Sequence, residues 1–338
     1  MEQAMSTSPY TEREWNHLIR QGEPERWQKL GGDLAFWKPK VERICARHGL
    51  SVAGEIQWNR RRATVRCSNT VFLVGDVAVK VYARPSPIWF PREVEALRLL
   101  GDVPQAKTPR LLGYGDAISD EDPDHPYLIM ERLPGEEYWY YRDKRSLEEE
   151  CDLARQVAEM VRAMHEAPIE GLQSFGRSPA EWVSRIQARA ALWEADMAKE
   201  LPPYLAAQVP KFLAENLPYV TEAFRPCLLS ADLHVGHILM EQRGGAWQVT
   251  GQIDLGDVEV GPVEYEWVPL CHKAFGGNET LMRAFFTAYG WPLPVPDDVK
   301  RRLKLYTLLH RFPPFRATAR EVKSGPSLEA ILEAQWPI

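Results

Sequence analysis

No stretch of this chain approaches the ~20 consecutive apolar residues that a membrane-spanning helix needs. Its first residues, MEQAMSTSPYTEREW, are polar and acidic where an export signal would be basic and then apolar. A cytoplasmic protein, neither exported nor embedded, is the expectation. Cysteine is scarce and unpatterned: Cys45, Cys67, Cys151, Cys227 and Cys271 form no C-x-x-C pair, and an odd number offers no full disulfide framework, so a reducing compartment fits. A basic excess is missing as well. The formal net charge is −6, and the nearest candidate for a basic patch, Arg60-Arg61-Arg62 with Arg66, is short and reads as a solvated flank. Nucleic acid is therefore not the expected partner. What remains, 338 residues with 45% hydrophobic and 26% charged, is the balance of a soluble enzyme long enough for two lobes around a cleft.

The stretch that carries most chemistry is residues 228–254, LLSADLHVGHILMEQRGGAWQVTGQID. Asp232 follows the apolar pair Leu228-Leu229, Asp254 follows Ile253, and Gly244-Gly245 turns the chain between them. Two carboxylates are thereby expected at one rim. Phosphoryl transfer uses such an arrangement, because one carboxylate orients the attacking hydroxyl and another holds the metal that neutralises phosphate charge.

The pattern D-L-H-x-G-x-I-L followed by I-D resembles the catalytic and metal-binding segments of the aminoglycoside phosphotransferase and choline kinase-like family, which shares the protein-kinase fold. Val77-Ala78-Val79-Lys80 resembles that fold's V-A-I-K strand, and Glu93 in REVEALRLL suits the helix glutamate that pairs with its lysine; Glu95 is the fallback if the helix register differs. IDLGDVEVGPVEYEWVPLCHKAFGG, SNTVFLVG and Phe36-Trp37 look like matching stretches of hygromycin phosphotransferases. The likeness spans roughly residues 50–320. It departs from the family where a His-Gly-Asp loop with an Asn five residues after the Asp is usual: here those places hold Ser230, Ala231 and His237. A nitrogen ligand at His237 suits Mn²⁺ better than the hard, oxygen-seeking Mg²⁺.

The resemblance implies an α+β, bilobal, protein-kinase-like fold with a small β-rich N-lobe and a larger helical C-lobe. The expected division is a helical extension over 1–53, a nucleotide-binding lobe and hinge over 54–133, and a helical lobe with catalytic loop and acceptor site over 134–338. It also implies roles: Asp232 as base or hydroxyl-orienting group, Asp254 and His237 as ligands of Mg²⁺ or Mn²⁺, and Lys80, held by Glu93, on the phosphates of ATP or GTP. Ser68 and Asn69 fall where donors to the phosphates are expected, and the backbone of Met130, Glu131, Arg132 and Leu133 falls where the purine would be read. The implied reaction moves a nucleotide phosphate to a hydroxyl of a small aminated sugar, an aminoglycoside or aminocyclitol antibiotic of hygromycin type first, which would confer resistance. A kinase of another small metabolite or nucleoside antibiotic, or a nucleotide-binding pseudoenzyme, stays open beside it, as does monomer against homodimer.

Elsewhere the patterns are plainer. Residues 10–50 carry Trp15, Leu18, Ile19, Trp27, Leu30, Leu34 and Trp37 at helical spacing. The run from Thr64 to Tyr82 alternates as strands, with Ser68-Asn69 between two of them and Gly75-Asp76 as a hairpin turn. Leu153, Val157, Met160, Val161 and Met164 predict a core helix capped near Ser146, with His165 as a packing or cap residue. The segment 177–222 is expected to be helix-rich, with Trp182, Ile186, Leu192 and Trp193 before a Pro-Pro break. After Asp254, the carboxylates of Asp257, Glu259, Glu264 and Glu266 would suit a cationic acceptor, or would be ordinary surface charges or helix N-terminal residues.

Overall fold

A computed structural model describes residues 32–51, 54–59, 69–82, 88–118, 125–193, 201–315 and 325–338. Ser68, Cys67, the Arg60-Arg61-Arg62 cluster with Arg66, and the proposed helical face from Trp15 to Leu30 lie outside the described residues. The chain divides into two compact units, Met1–Gly101 with Pro109–Leu133, and Asp102–Thr108 with Pro134–Ile338.

In the first unit, β1 (Gln57–Trp58), β2 (Asn69–Val74), β3 (Val77–Tyr82), β4 (Leu111–Gly115) and β5 (Tyr127–Glu131) form an antiparallel sheet in the order β1-β2-β3-β5-β4. The β2–β3 turn is Gly75-Asp76, with Gly75 at φ +55°, which suits a tight hairpin. Helix α1 (Leu34–Arg47) starts where the Asp33 side chain accepts the Phe36 amide. Its Trp37, Val41, Ile44 and Cys45 recur at helical spacing and pack with Phe72, Val79, Val81 and Ile129. Helix α2 (Trp89–Gly101) buries Phe90, Glu93, Val94, Leu97 and Leu100, so a carboxylate lies on its apolar stripe.

The second unit is mostly helical. Helix α3 (Leu147–Glu166) begins in a capping box between Ser146 and Glu149 and buries Leu153, Val157, Met160, Val161 and Met164, as their spacing predicts. Helix α4 (Pro179–Leu192) starts in a second box, Ser178 with Glu181, and buries Trp182 and Ile186; Leu192 is exposed, because the inward face has rotated past it by the last turn. Val209–Asn216 is α5, Val263–Pro269 is α6, Glu279–Tyr289 is α7, which packs on α3, and Asp297–Leu309 is α8. Small sheets carry the loops: β7 (Cys227–Leu229) pairs with β10 (Glu259–Gly261), and β6 (Glu136–Glu137) pairs with β8 (Ile238–Arg243), itself joined to β9 (Ala246–Gln252). Gly244 and Gly245, at φ +59° and +87°, make the β8–β9 turn. Such angles favour glycine because side chains clash there. Among the described residues no helix is long and apolar enough to cross a membrane. The α+β division into a β-rich unit and a larger helical one matches the expected class.

Candidate active site

Alternation along β3 sends Val79 and Val81 toward α1 and leaves Lys80 and Tyr82 on the other face of the sheet. There Lys80 Nζ donates to both oxygens of Glu93, at 2.9 and 2.6 Å, and the Tyr82 hydroxyl donates to Glu93 Oε2. Lys80 is 4% and Glu93 1% exposed, so each charge has its counterpart out of water. The α2 register selects Glu93 and leaves Glu95 half-buried. Tyr82 is a site residue the sequence reading passed over, although its position two residues beyond Lys80 on one strand was a usable signal. Asn69 is the first residue of β2, paired with Tyr82, and so belongs to the strand and not to a turn between strands.

The residues expected to read the purine lie at the end of β5 and just beyond it. Met130 is buried and paired with Ala78 and Leu111. The Glu131 amide donates to Arg110 O at 2.9 Å and the Arg132 amide to Asp76 O at 2.8 Å. In the stretch 131–133, Leu133 alone among the described residues has an amide that meets no backbone acceptor.

In the second unit, β7 delivers the chain into the loop bearing Asp232. Ala231 takes φ +59°, where a glycine would be at ease. Its amide donates to Glu266 Oε2 at 3.1 Å, and Glu266, on α6, is wholly buried. The loop closes as the His237 amide donates to His234 O at 2.9 Å and the His237 ring donates from Nδ1 to Asp232 O at 2.8 Å. A carbonyl only accepts, so Nδ1 carries the ring hydrogen and Nε2 faces outward. The end of β9 is tied to the same residue, the Ile253 amide donating to His237 O at 2.9 Å. Asp254 follows at once, at φ +65°, and its Oδ2 lies 3.4 Å from His237 Nε2. His237 thus touches Asp232 through one ring nitrogen and Asp254 through the other.

Asp232 has two further neighbours. Lys273 Nζ lies 2.9 Å from Oδ1, and His234 Nε2 lies 3.9 Å from Oδ2. Asp232, His234 and His237 bring ligand atoms within 4.8 Å of one another, yet they do not make a metal site. The two imidazoles are stacked, centroids 3.8 Å apart at 29°, and an ion would have to lie in both ring planes, about 2.1 Å from each nitrogen. The Gly236 amide also donates to His234 Nδ1 at 2.9 Å, which puts the ring hydrogen of neutral His234 on Nε2. The pair His237 Nε2 and Asp254 Oδ2 fits an ion better. Its 3.4 Å spacing is close to the roughly 3 Å between neighbouring ligands of one octahedral ion, and the bond from Nδ1 to a carbonyl is the usual support for a ligating imidazole. The donor set is one nitrogen and one carboxylate, which suits Mn²⁺ more than Mg²⁺.

The carboxylates that follow Asp254 are engaged within the fold. Asp257 pairs with Arg311 at 2.8 Å, Glu259 with Arg185 at 3.2 Å, and Glu264 with Arg302 at 3.0 Å, while Glu266 holds the Ala231 amide. Glu264 and Glu266 lie on helix α6. His165 is buried, with Nδ1 2.9 Å from the Tyr289 hydroxyl and Nε2 4.0 Å from Glu266 Oε2, a packing residue as its position on α3 suggests. Lys273 was absent from the sequence reading, and Glu266 was read there as a charge for the acceptor and not as the support of the Ala231 amide. Lys273 sits in a π-helical turn, Leu270–Ala274, whose extra residue breaks the 3.6 period that would have placed it.

The sequence profile of the Phosphotransferase enzyme family matches residues 61–306. Among solved structures, the GDP complex of an aminoglycoside 2'-phosphotransferase superposes with a TM-score of 0.64 at 16% identity, covering 88% of this chain and 96% of that one. A streptomycin and ATP ternary complex of APH(2")-IIa gives 0.56 at 19%, covering 80% and 90%. An aminoglycoside-3'-phosphotransferase of type VIII gives 0.54 at 21%, covering 80% and 97%. At these identities the likeness establishes the fold, that of the protein-kinase-like phosphotransferases.

Proposed function

The chain belongs to the phosphotransferase enzyme family, and on that premise we propose that it moves the γ-phosphoryl group of ATP or GTP to a hydroxyl of an aminoglycoside or aminocyclitol antibiotic, a hygromycin-type acceptor first, and so confers resistance in the cytoplasm. The observation that carries this reading is the clasp of His237 on both Asp232 and Asp254. Asp232 orients the acceptor hydroxyl and takes its proton. Asp254 and His237 hold the divalent ion, Mn²⁺ or Mg²⁺, whose positive charge offsets that of the nucleotide phosphates. Lys80, kept in place by Glu93 and Tyr82, neutralises phosphate oxygens, with Asn69 and Ser68 as further donors. The carbonyls of Met130 and Glu131 and the Leu133 amide read the purine. The neighbours solved with GDP and ATP support a nucleotide donor, and the streptomycin complex supports an aminated sugar as acceptor.

A neutral hydroxylated metabolite is the runner-up acceptor, because Asp257, Glu259 and Glu264 are already matched by arginines and offer less field to a cation. The test is nucleotide consumption with ATP and GTP, in Mg²⁺ and in Mn²⁺, over aminoglycosides including hygromycin B and over neutral polyols, with products weighed by mass spectrometry. A product heavier by one phosphate with an aminated acceptor supports the first reading. Phosphate on polyols alone supports the runner-up, and nucleotide binding without any transfer overturns both.

A further inference from the structure

We infer that Lys273 is a positioning residue for the transfer step, fixing one oxygen of Asp232 so that the other is left for the acceptor; the inference rests on the proposed phosphotransferase reading. Lys273 Nζ is 2.9 Å from Asp232 Oδ1, while Oδ2 has no hydrogen-bond partner among the described residues. The lysine is itself held, its ammonium lying 4.8 Å from the centroid of the Phe312 ring. It reaches Asp232 from the π-helical turn, 41 residues away in sequence, so the loop's own hydrogen bonds do not supply this contact.

An ion pair of this exposure, 30% for the lysine side chain and 14% for the aspartate, adds little to stability. What it supplies is orientation. A free carboxylate swings about χ2 and presents either oxygen; one clamped at Oδ1 presents only Oδ2. In the transfer, the acceptor hydroxyl donates to Oδ2, its oxygen forms the new bond to the γ-phosphorus, and the bond from that phosphorus to the bridging oxygen breaks. The nucleoside diphosphate leaves with that electron pair, and the hydroxyl proton passes to Oδ2. Lys273 keeps its proton and its contact with Oδ1 throughout, so the edge that receives the proton stays aimed.

The test compares Lys273→Met, which keeps the stem without the charge, and Lys273→Arg, which keeps the charge, with the unaltered full chain, in acceptor phosphorylation and in slow nucleotide hydrolysis with water as acceptor. Loss of aim is expected to lower kcat about 100-fold in Lys273→Met, with both KM values within about 3-fold and the melting temperature within about 2 °C, and Lys273→Arg is expected to recover to within about 10-fold. Wild-type kcat in Lys273→Met, an effect on KM alone, a chain that no longer folds, or failure of arginine to recover the rate would each overturn the role while leaving the phosphotransferase reading intact. An unaltered chain that neither transfers nor hydrolyses would overturn that reading, and this inference with it.

Discussion

Exchanging Lys80 and Glu93 singly and together separates a pair kept for nucleotide binding from one kept for stability. Both side chains are out of water, at 4% and 1% exposure, and their atoms approach to 2.6 Å. Glu93→Leu alone takes away the carboxylate that the buried ammonium meets with both oxygens, and Lys80→Met alone takes away the cation that the buried carboxylate meets; losses of this kind run to about 3–5 kcal/mol. At about 1.4 °C per kcal/mol for a chain of 338 residues, each single variant should melt about 4–7 °C lower. Replacing both partners removes both charges, and such exchanges are neutral or stabilising by about 1–4 kcal/mol, less about 1 kcal/mol here for the acceptor lost by Tyr82. The double variant Lys80→Met with Glu93→Leu is therefore expected to melt within about 5 °C of the unaltered chain while losing nucleotide binding. Melting curves for the four proteins, with and without ATP, read both effects. A double variant as unstable as the worse single one, or one that still binds ATP with unchanged affinity, would show that the pair is kept for stability and not for nucleotide binding.

The His272 imidazole is pushed down to about 4 by burial, and His310 is shifted in the same direction. Between pH 4 and the ordinary value of about 6.5 the unfolded chain binds the extra proton, so the stability carried by neutral His272 is complete above about 6.5 and falls by about 3 kcal/mol on the way down to 4. His272→Gln should flatten the fall in melting temperature between pH 7 and 4.5, and an unchanged slope would contradict this. At Ala231, held at φ +59°, Ala231→Gly should raise the melting temperature by about 1 °C and Ala231→Val should lower it, which scanning calorimetry reads directly. His237→Asn replaces a nitrogen donor by an oxygen and should raise the ratio of activity in Mg²⁺ to that in Mn²⁺; a ratio that stays put would remove His237 from the metal site.

Local patterns announced much of the fold. The i, i+3, i+4 spacing of Leu153, Val157, Met160 and Val161, with Ser146 and Glu149 at its head, is enough to specify α3, because burial and capping both act within a few residues. Lys80 and Glu93 were legible as a pair for the same reason, since a strand and the next helix lie close in sequence. What escaped depends on partners far along the chain. Asp257, Glu259 and Glu264 read as a field for a cation until Arg311, Arg185 and Arg302 are seen to meet them from other helices and loops. The buried Glu266 under Ala231 and the reach of Lys273 to Asp232 likewise follow from tertiary packing, and no spacing near the Asp232 loop points to either.

The role of Asp232 in activating the acceptor hydroxyl is tested by weighing the product of the unaltered chain and of Asp232→Asn after incubation with nucleotide, divalent ion and hygromycin B or another aminoglycoside. An acceptor heavier by one phosphate is expected from the unaltered chain, with a loss of about 100- to 10,000-fold in Asp232→Asn and its fold and nucleotide binding intact. Phosphorylated acceptor formed by Asp232→Asn at the unaltered rate would contradict that role.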